Sequence, residues 1–189
     1  MSTPHGSQRR YTLEEYARLD DPAEFWSELS RGRLVREPRP GGVHSEIIME
    51  LAVLLRDFVR ARSLGKIVIE GGFQLSIDPP TVRGPDIAFI AAERLPASIP
   101  AGWWPSAPDL AIEVLSPRRR AAPLQLKIFQ YFEAGTRAVW VVDAGTRSVT
   151  IYNSLADISI VRAPALLSGA DVLPGLELSL DAFLPAQSL

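Results

Sequence analysis

The sequence predicts an α/β protein of the α+β type, in which a mixed β-sheet is flanked by α-helices. One long amphipathic segment is typical of a helix, and several short apolar runs are typical of strands. A second helical segment separates two groups of those runs, and this order favours a mixed sheet over a doubly wound parallel sheet. A glycine-rich phosphate-binding loop is absent from the sequence.

Length and composition indicate one globular domain over residues 1–189, in which 47% of the residues are hydrophobic. We expect an N-terminal extension over about 1–40, a core over about 41–153 and a tail over about 154–189. Cysteine is absent, which excludes disulfides and cysteine nucleophiles and favours a reducing compartment. Because no apolar run is long enough to span a bilayer, we expect a cytoplasmic protein without a membrane segment.

The charge distribution gives no direct sign of a nucleic-acid partner. The formal net charge is −2, whereas phosphate binding draws on lysine and arginine. Two local stretches are nevertheless basic: Arg31, Arg33, Arg36 and Arg39 form the first, and Arg118, Arg119 and Arg120 form the second. Each stretch taken alone is more typical of a solvated loop.

The first third of the chain predicts helices around one short strand. Residues 11–29 hold two short helical patterns, and the first has Thr12 as its N-cap with Glu15 completing a capping box. A short strand is predicted at residues 34–37. The longest helical pattern covers residues 44–64, and its apolar side chains form one stripe: Ile47, Ile48, Leu51, Leu54, Leu55, Phe58 and Val59.

The rest of the chain predicts short strands and one more helix. The predicted strands are 66–70, 73–77, one after Asp86, one around Glu113, 137–142, 148–152, 158–161 and 176–180, and the helix is 124–134. The first two of these strands meet at Gly71-Gly72, as either a tight turn or a bulge. Residues 78–84 are a predicted loop, residues 91–107 are poorly patterned, and the tail is irregular around its strands.

Two acidic residues interrupt segments that otherwise have the pattern of buried strands. Asp86 follows Gly84-Pro85, and Glu113 shares a strand face with Ala111 and Leu115. The other face of the Glu113 strand is also apolar, which indicates a central strand. Because a buried carboxylate without a partner is costly, each acid should be compensated. The simpler alternatives are a buried salt bridge for Glu113 and a turn-capping role for Asp86.

A lysine and a histidine are the other candidate site residues. Lys127 lies at the border of the apolar stripe of the second helix, so its ammonium either reaches water or points back over the sheet. His44 lies near the centre of the stripe of the long helix, where a hydrogen-bonded core residue is more common than a ligand. Two carboxylates from neighbouring strands and an ammonium can hold a divalent cation and a water beside a phosphodiester, which is nuclease chemistry.

An ordered set of motifs over nearly the whole chain resembles the Uma family, a mainly bacterial branch of the PD-(D/E)xK superfamily of restriction-endonuclease-like nucleases. The motifs are Glu28-Leu29, Gly32-Arg33-Leu34, His44, Pro85-Asp86, Pro108-Asp109-Leu110, Glu113-Val114-Leu115-Ser116-Pro117, Lys127 with Tyr131 and Gly135, Trp140-Val141-Val142-Asp143 and Leu173-Pro174-Gly175-Leu176. A Pro-Asp pair alone is a weak signal, whereas the ordered set is specific.

The resemblance implies a restriction-endonuclease-like core that hydrolyses DNA phosphodiester bonds with a metal-activated water. It implies that Asp86 and Glu113 bind Mg²⁺, or Mn²⁺ in its place, and that the main-chain carbonyl of Val114 adds a ligand. Lys127 is then the catalytic lysine, and His44 and Glu28 match family positions that we carry as secondary catalytic candidates. DNA is the implied partner, and a homodimer would supply two sites for cutting both strands.

The sequence departs from the superfamily pattern at Leu115, where the superfamily has a lysine two residues after the acid. In this family the lysine is displaced to the helix, at Lys127. The family often has an acid four residues before that lysine, and this position is Pro123. An alternative function is a weakly active or inactive module that keeps the fold and binds nucleic acid or another partner, because fold resemblance alone does not establish activity.

Overall fold

The computed structural model describes residues 9–20, 23–115 and 121–186. Its helices are α1 Leu13–Ala17, α2 Gly42–Ala61 and α3 Ala121–Glu133, and its strands are β1 Phe25–Ser30, β2 Arg33–Pro38, β3 Gly65–Ile69, β4 Phe73–Ser76, β5 Thr81–Arg83, β6 Ile87–Ala91, β7 Leu110–Val114, β8 Ala138–Asp143, β9 Ser148–Tyr152, β10 Ile158–Arg162, β11 Leu166–Ser168 and β12 Glu177–Ser179. Short 3₁₀ helices cover Ala92–Arg94 and Leu180–Ala182. The predicted class, a mixed sheet flanked by helices, is confirmed.

A six-stranded mixed sheet with the order β10-β9-β8-β7-β6-β3 lies at the centre of the fold. Strand β7 pairs in parallel with β8 and antiparallel with β6, so the strand that carries Glu113 is central, as its apolar faces predict. The two faces of β7 pack on different helices. Leu110, Ile112 and Val114 contribute to the core under α2, whereas Ala111 packs with α3 on the opposite face.

Helix α2 is built on the predicted apolar stripe. Ile47, Leu51 and Leu55 are fully buried against the central sheet. The N-cap residue Gly41 offers no side-chain hydrogen bond, so packing stabilises this helix more than capping does. The helix ends at Ala61, before the predicted residue 64. Neither α2 nor any other helix in the described parts of the chain is long and apolar enough to cross a membrane.

A second sheet, with the order β2-β1-β5-β4, differs from the sequence prediction. The predicted first helix and its capping box are confirmed in α1, but the second helical pattern in residues 11–29 is wrong, because residues 25–30 form β1. Arg31 and Gly32 both have positive φ and form the two-residue turn that pairs β1 with β2. Strand β5 lies in the predicted loop 78–84 and pairs with β1 at Leu29 and Val82.

Strands β3 and β4 were both predicted, but they do not pair with each other. Strand β3 pairs with β6 at one edge of the six-stranded sheet, whereas β4 pairs with β5 in the four-stranded sheet. The segment Gly71-Gly72 therefore carries the chain from one sheet to the other, and it forms neither of the two predicted structures. At the start of this crossing, the backbone N–H of Glu70 donates to the Asp86 carbonyl at 3.1 Å.

The C-terminal tail is part of the main hydrophobic core, although its sequence pattern is weak. Leu167, Leu173, Leu176 and Leu180 are almost completely buried and belong to the same apolar cluster as the stripe of α2. The short strands β11 and β12 pair antiparallel in this region. The tail thus closes the face of the central sheet that α2 only partly covers.

We predict that Leu180→Ala lowers the free energy of unfolding by about 2–5 kcal/mol, because it leaves a cavity in this core. The matched control is Leu166→Ala, whose side chain is largely exposed. It should change stability by less than about 0.5 kcal/mol. Urea unfolding followed by circular dichroism measures both variants. Equal unfolding midpoints for the two variants would show that the tail adds nothing to core stability.

Candidate functional site

Asp86 and Glu113 lie opposite each other at one end of the central sheet. The antiparallel register of β6 and β7 pairs Ile87 with Ile112, and one further step along this register brings Asp86 across from Glu113. The Oδ2 atom of Asp86 accepts a hydrogen bond of 2.6 Å from the backbone N–H of Val114. This bond fixes the Asp86 carboxylate to the strand that carries Glu113.

Glu113 is fully buried and is compensated on the α3 side of the sheet. Its Oε1 atom accepts a hydrogen bond of 2.9 Å from the Tyr131 hydroxyl. Its two carboxylate oxygens lie 2.9 and 3.1 Å from Nζ of Lys127. Burial and the neighbouring charge of Glu113 raise the pKa of Tyr131 well above its usual range, so the phenol stays protonated and donates. The salt bridge that sequence reasoning left as an alternative is therefore present.

Lys127 points its ammonium over the sheet, as the more specific of its two interpretations predicts. The residue is 2% exposed, so its side chain does not extend to water. Besides Glu113, the ammonium contacts Oε1 of Glu28 at 2.8 Å and donates to the Gly84 carbonyl at 2.9 Å. Lys127 thus joins α3 to both sheets and to the segment that precedes Asp86.

Glu28 belongs to a buried polar network in which the sequence analysis missed Arg83 and Gln130. Its carboxylate accepts hydrogen bonds from the Gly84 N–H at 2.8 Å and from Arg83 at 2.7 Å, and Arg83 also donates to Gln130. Burial alone would raise the pKa of Glu28, but the charges of Lys127 and Arg83 outweigh it and lower that pKa to about 2. Arg83 gave no sequence signal because β5 has the pattern of a loop.

His44 is a buried residue next to Asp86. Its side chain is 9% exposed, and its Nε2 atom lies 3.3 Å from Oδ2 of Asp86. The Nδ1 atom is buried without a hydrogen-bond partner. The position on α2 and the pairing with Asp86 together place His44 where it orients the Asp86 carboxylate.

A cavity of about 390 Å³ opens beside these residues. Its wall includes Glu28, His44, Asp86, Val114 and Lys127, whereas Glu113 is fully buried and is not among the lining residues. Glu70, which sequence reasoning did not single out, also lines the cavity. Partial burial and the charge of Asp86 raise the pKa of Glu70, so the two acids are electrostatically coupled across this wall.

The structure describes the first of the two basic stretches. Arg31 pairs with Glu133 at 2.9 Å on an exposed surface. Arg39 lines the cavity. The second stretch, Arg118 to Arg120, and the Ser116-Pro117 part of the motif lie outside the described residues.

The described residues contain no group of three or more His, Cys, Asp or Glu side chains that could hold a metal ion. Of the residues that the family resemblance implies as oxygen donors for Mg²⁺, Asp86 directly precedes β6 and Glu113 lies on the adjacent strand β7, and Asp86 accepts a hydrogen bond from the N–H of Val114.

These features define the class of the protein: a nuclease-type fold, in which neighbouring strands bring acidic side chains and a lysine to one end of a mixed sheet. The sequence matches the Uma2 family, described as "Putative restriction endonuclease", over residues 13–181. The chain belongs to this family, which confirms the resemblance drawn from its motifs.

The fold is also similar to a solved structure described as a "putative nuclease belonging to DUF820" from Anabaena variabilis ATCC 29413. The two chains are 24% identical and superpose with a TM-score of 0.82, over 92% of this chain and 97% of that chain. At this identity the likeness concerns the fold alone. No curated protein shows a significant match to the chain.

We predict that Glu28 supports the fold in a pH-dependent way. Its pKa of about 2 in the folded protein lies below the usual value of 4.5, so its contribution to stability is present above pH 4.5 and is lost as the pH falls towards 2. The contribution is roughly 3 kcal/mol. In Glu28→Gln, the loss of stability that protonation of Glu28 causes at low pH should disappear. The variant should also be less stable at neutral pH, because Lys127 and Arg83 lose their shared partner.

Urea unfolding between pH 6 and pH 3 measures this effect. Glu46→Gln, a change at an exposed position of α2, is the matched control and should follow the wild type. An identical pH slope in both variants would contradict the role of Glu28.

Proposed function

We propose that the protein is a metal-dependent endonuclease that hydrolyses DNA phosphodiester bonds, with Mg²⁺ or Mn²⁺ as its cofactor. The observation that carries this proposal is the meeting of Asp86, Glu113 and Lys127 at one end of β7, with Asp86 and Lys127 in the wall of one cavity. Membership of the family supports nuclease chemistry. The cavity volume lies within the roughly 300–1,000 Å³ of small-ligand pockets.

The oxygen donors of the site fit a divalent cation. Asp86, directly before β6, accepts a hydrogen bond from the N–H of Val114, and Glu113 on the adjacent strand β7 pairs with Lys127. The carboxylate of Glu70 lines the same cavity as Asp86. Mg²⁺ requires oxygen ligands and is usually held by one or two carboxylates together with waters. Asp86, Glu113 and the Val114 carbonyl would hold it here.

The residues of the chain have separate roles in the proposed reaction. A bound divalent cation supplies a water of lowered pKa and neutralises charge on the phosphate. Lys127, fixed by Glu28 and the Gly84 carbonyl, offsets the charge that builds on the scissile phosphate. The Val114 N–H and His44 hold Asp86 in one orientation. Water adds to phosphorus and releases a proton to solvent, while the bond from phosphorus to the leaving sugar oxygen breaks and that oxygen takes up a proton.

A second candidate is a weakly active or inactive module that binds nucleic acid. The observation that favours it is the enclosure of Glu113, whose two oxygens already lie within 3.1 Å of Lys127. A metal at Glu113 would have to share or replace this contact. Cleavage assays separate the two candidates.

The endonuclease proposal includes a homodimer. Cutting both strands of a duplex is most simply done by two copies of one site, and two-fold dimers are the commonest closed assemblies.

We predict that the purified protein nicks supercoiled plasmid when Mg²⁺ or Mn²⁺ is present and not in EDTA. Asp86→Asn, Glu113→Gln and Lys127→Ala should each lower the nicking rate by roughly a hundredfold or more, because each removes charge stabilisation or a metal ligand. Gel electrophoresis of the plasmid over time measures the rate. Circular dichroism confirms that each variant is folded.

Asp57→Asn is the matched control, because Asp57 is exposed on α2 and pairs with Arg56. Its nicking rate should equal that of the wild type. Nicking that persists in all three site variants would contradict the site, and absence of nicking with every metal would favour the binding module.

We predict separately that isothermal titration calorimetry detects Mg²⁺ or Mn²⁺ binding to the protein without DNA. Asp86→Asn and Glu113→Gln should each weaken this binding by at least about tenfold, since each removes one of two anionic ligands. Asp57→Asn should bind as the wild type does. Unchanged affinity in both site variants would show that the cation binds elsewhere.

A further inference from the structure

The residues that line the cavity are of two chemical kinds. The charged residues Glu28, Glu70, Asp86 and Lys127, here called the charged side, are used in part by the proposed hydrolysis. The aromatic rings of Tyr16, Trp26 and Trp103, together with Arg39, are here called the aromatic side. Nothing in the proposed phosphodiester chemistry requires these rings. Their presence in the same cavity therefore needs its own explanation.

Trp26 is placed beside the charged side by the geometry of β1. Side chains two residues apart on a strand share a face and lie about 7 Å apart, so Trp26 is the direct neighbour of Glu28 on the cavity face. Its cross-strand partner on β2, Glu37, also lines the cavity. The guanidinium carbon of Arg39 lies 5.4 Å from the centre of the Trp26 ring. A ring and a cation thus line the same cavity as Lys127, whose ammonium lies 2.8 Å from Glu28.

Trp103 is held in place by a backbone arrangement that fits it. The backbone N–H of Trp104 donates to Gly72 at 2.8 Å, and Gln74 donates to the Trp104 carbonyl at 2.9 Å, which fixes this segment along β4. A Cβ atom at Gly72 would lie 2.6 Å from the Trp103 ring, so the close approach requires glycine. The Trp103 ring also stacks on Tyr16 with centroids 5.1 Å apart.

We propose that the aromatic side binds an unpaired nucleobase next to the scissile phosphate, so that the site acts on single-stranded or locally unpaired DNA. Every base has a flat face that stacks on aromatic side chains. In an intact duplex these faces are covered by neighbouring base pairs, and a base reaches such a cavity only when it is unpaired or flipped out.

The charge of the protein supports the same assignment. Docking of an intact duplex draws mainly on lysine and arginine contacts to phosphates. Among the described residues, the cavity wall carries the acids Glu28, Glu37, Glu70 and Asp86 beside the cations Arg39 and Lys127, and the chain has a formal net charge of −2. Stacking on the aromatic rings adds affinity to the phosphate contacts of these two cations. The identity of the bound chain as DNA rests on the proposed function.

Binding is tested without cleavage, in EDTA and in an Asp86→Asn background. Fluorescence anisotropy compares a labelled single-stranded DNA 12-mer with the same sequence as a perfect duplex, as a duplex with one mismatch and as RNA. We expect the single strand to bind at least about tenfold more tightly than the duplex, with the mismatched duplex between them. Trp26→Ala and Trp103→Ala should each weaken single-strand binding by about tenfold or more.

Conservative variants separate stacking from a structural role. Trp26→Phe and Trp103→Phe keep a ring and should bind within about threefold of the parent. Phe129→Ala, which removes a half-exposed ring on α3 away from the cavity, should bind as the parent does. Equal affinity for single strand and duplex, unchanged binding in both alanine variants, or tighter binding of RNA would each overturn the inference.

This inference and the proposed function can fail separately. Plasmid nicking without any preference for unpaired DNA would overturn the inference alone. Tryptophan-dependent binding of single strands without nicking under any metal would overturn the endonuclease proposal alone.

Discussion

The ion pairs of the Lys127 ammonium are the interaction on which the rest of the site depends. One carboxylate partner, Glu28, comes from the four-stranded sheet, and the other, Glu113, comes from the centre of the six-stranded sheet. Removing the Lys127 ammonium or either carboxylate from water is costly. The ion pairs offset this cost only when their geometry is good and the remaining donors and acceptors are hydrogen-bonded. Tyr131 and the Gly84 carbonyl complete them here. The buried ammonium of Lys127, which belongs to α3 and to neither sheet, therefore fixes the distance between the two sheets.

Arg83 adds further contacts to this network of ion pairs. It neutralises Glu28 from the side opposite Lys127 and is itself fixed by Gln130 of α3. Because Lys127 and Gln130 are three residues apart on one helix, a single face of α3 supplies both contacts. The position of Lys127 thus depends on a network and not on its own rotamer alone. A side chain that is fixed before the substrate arrives loses little entropy in the reaction proposed above.

The sequence was sufficient to predict the parts of the fold whose signals are local. The stripe of α2 and the two apolar faces of β7 follow from side-chain periodicity, whereas periodicity left two directions open for Lys127. The motif order gave the family. The missed parts depend on pairing between distant segments. Residues 25–30 have helical spacing but form β1, because they pair with β2 and also with β5, about fifty residues later in the chain. Arg83 could not be assigned a role until β5 itself was known.

Strand β1, which the sequence pattern did not predict, matters most for the site. It carries Glu28 of the charged side of the cavity and Trp26 of the aromatic side. Trp26 and Glu28 share its inner face, and Leu29 on the other face is fully buried. A shift of the register by one residue would turn Trp26 and Glu28 out of the cavity together, and it would also expose Leu29. The burial of Leu29 and the turn at Arg31-Gly32 therefore set the geometry of the ion network and of the aromatic wall at once. The register of β1 with β2 therefore determines both the stability of this hairpin and the positions of the residues that line the cavity.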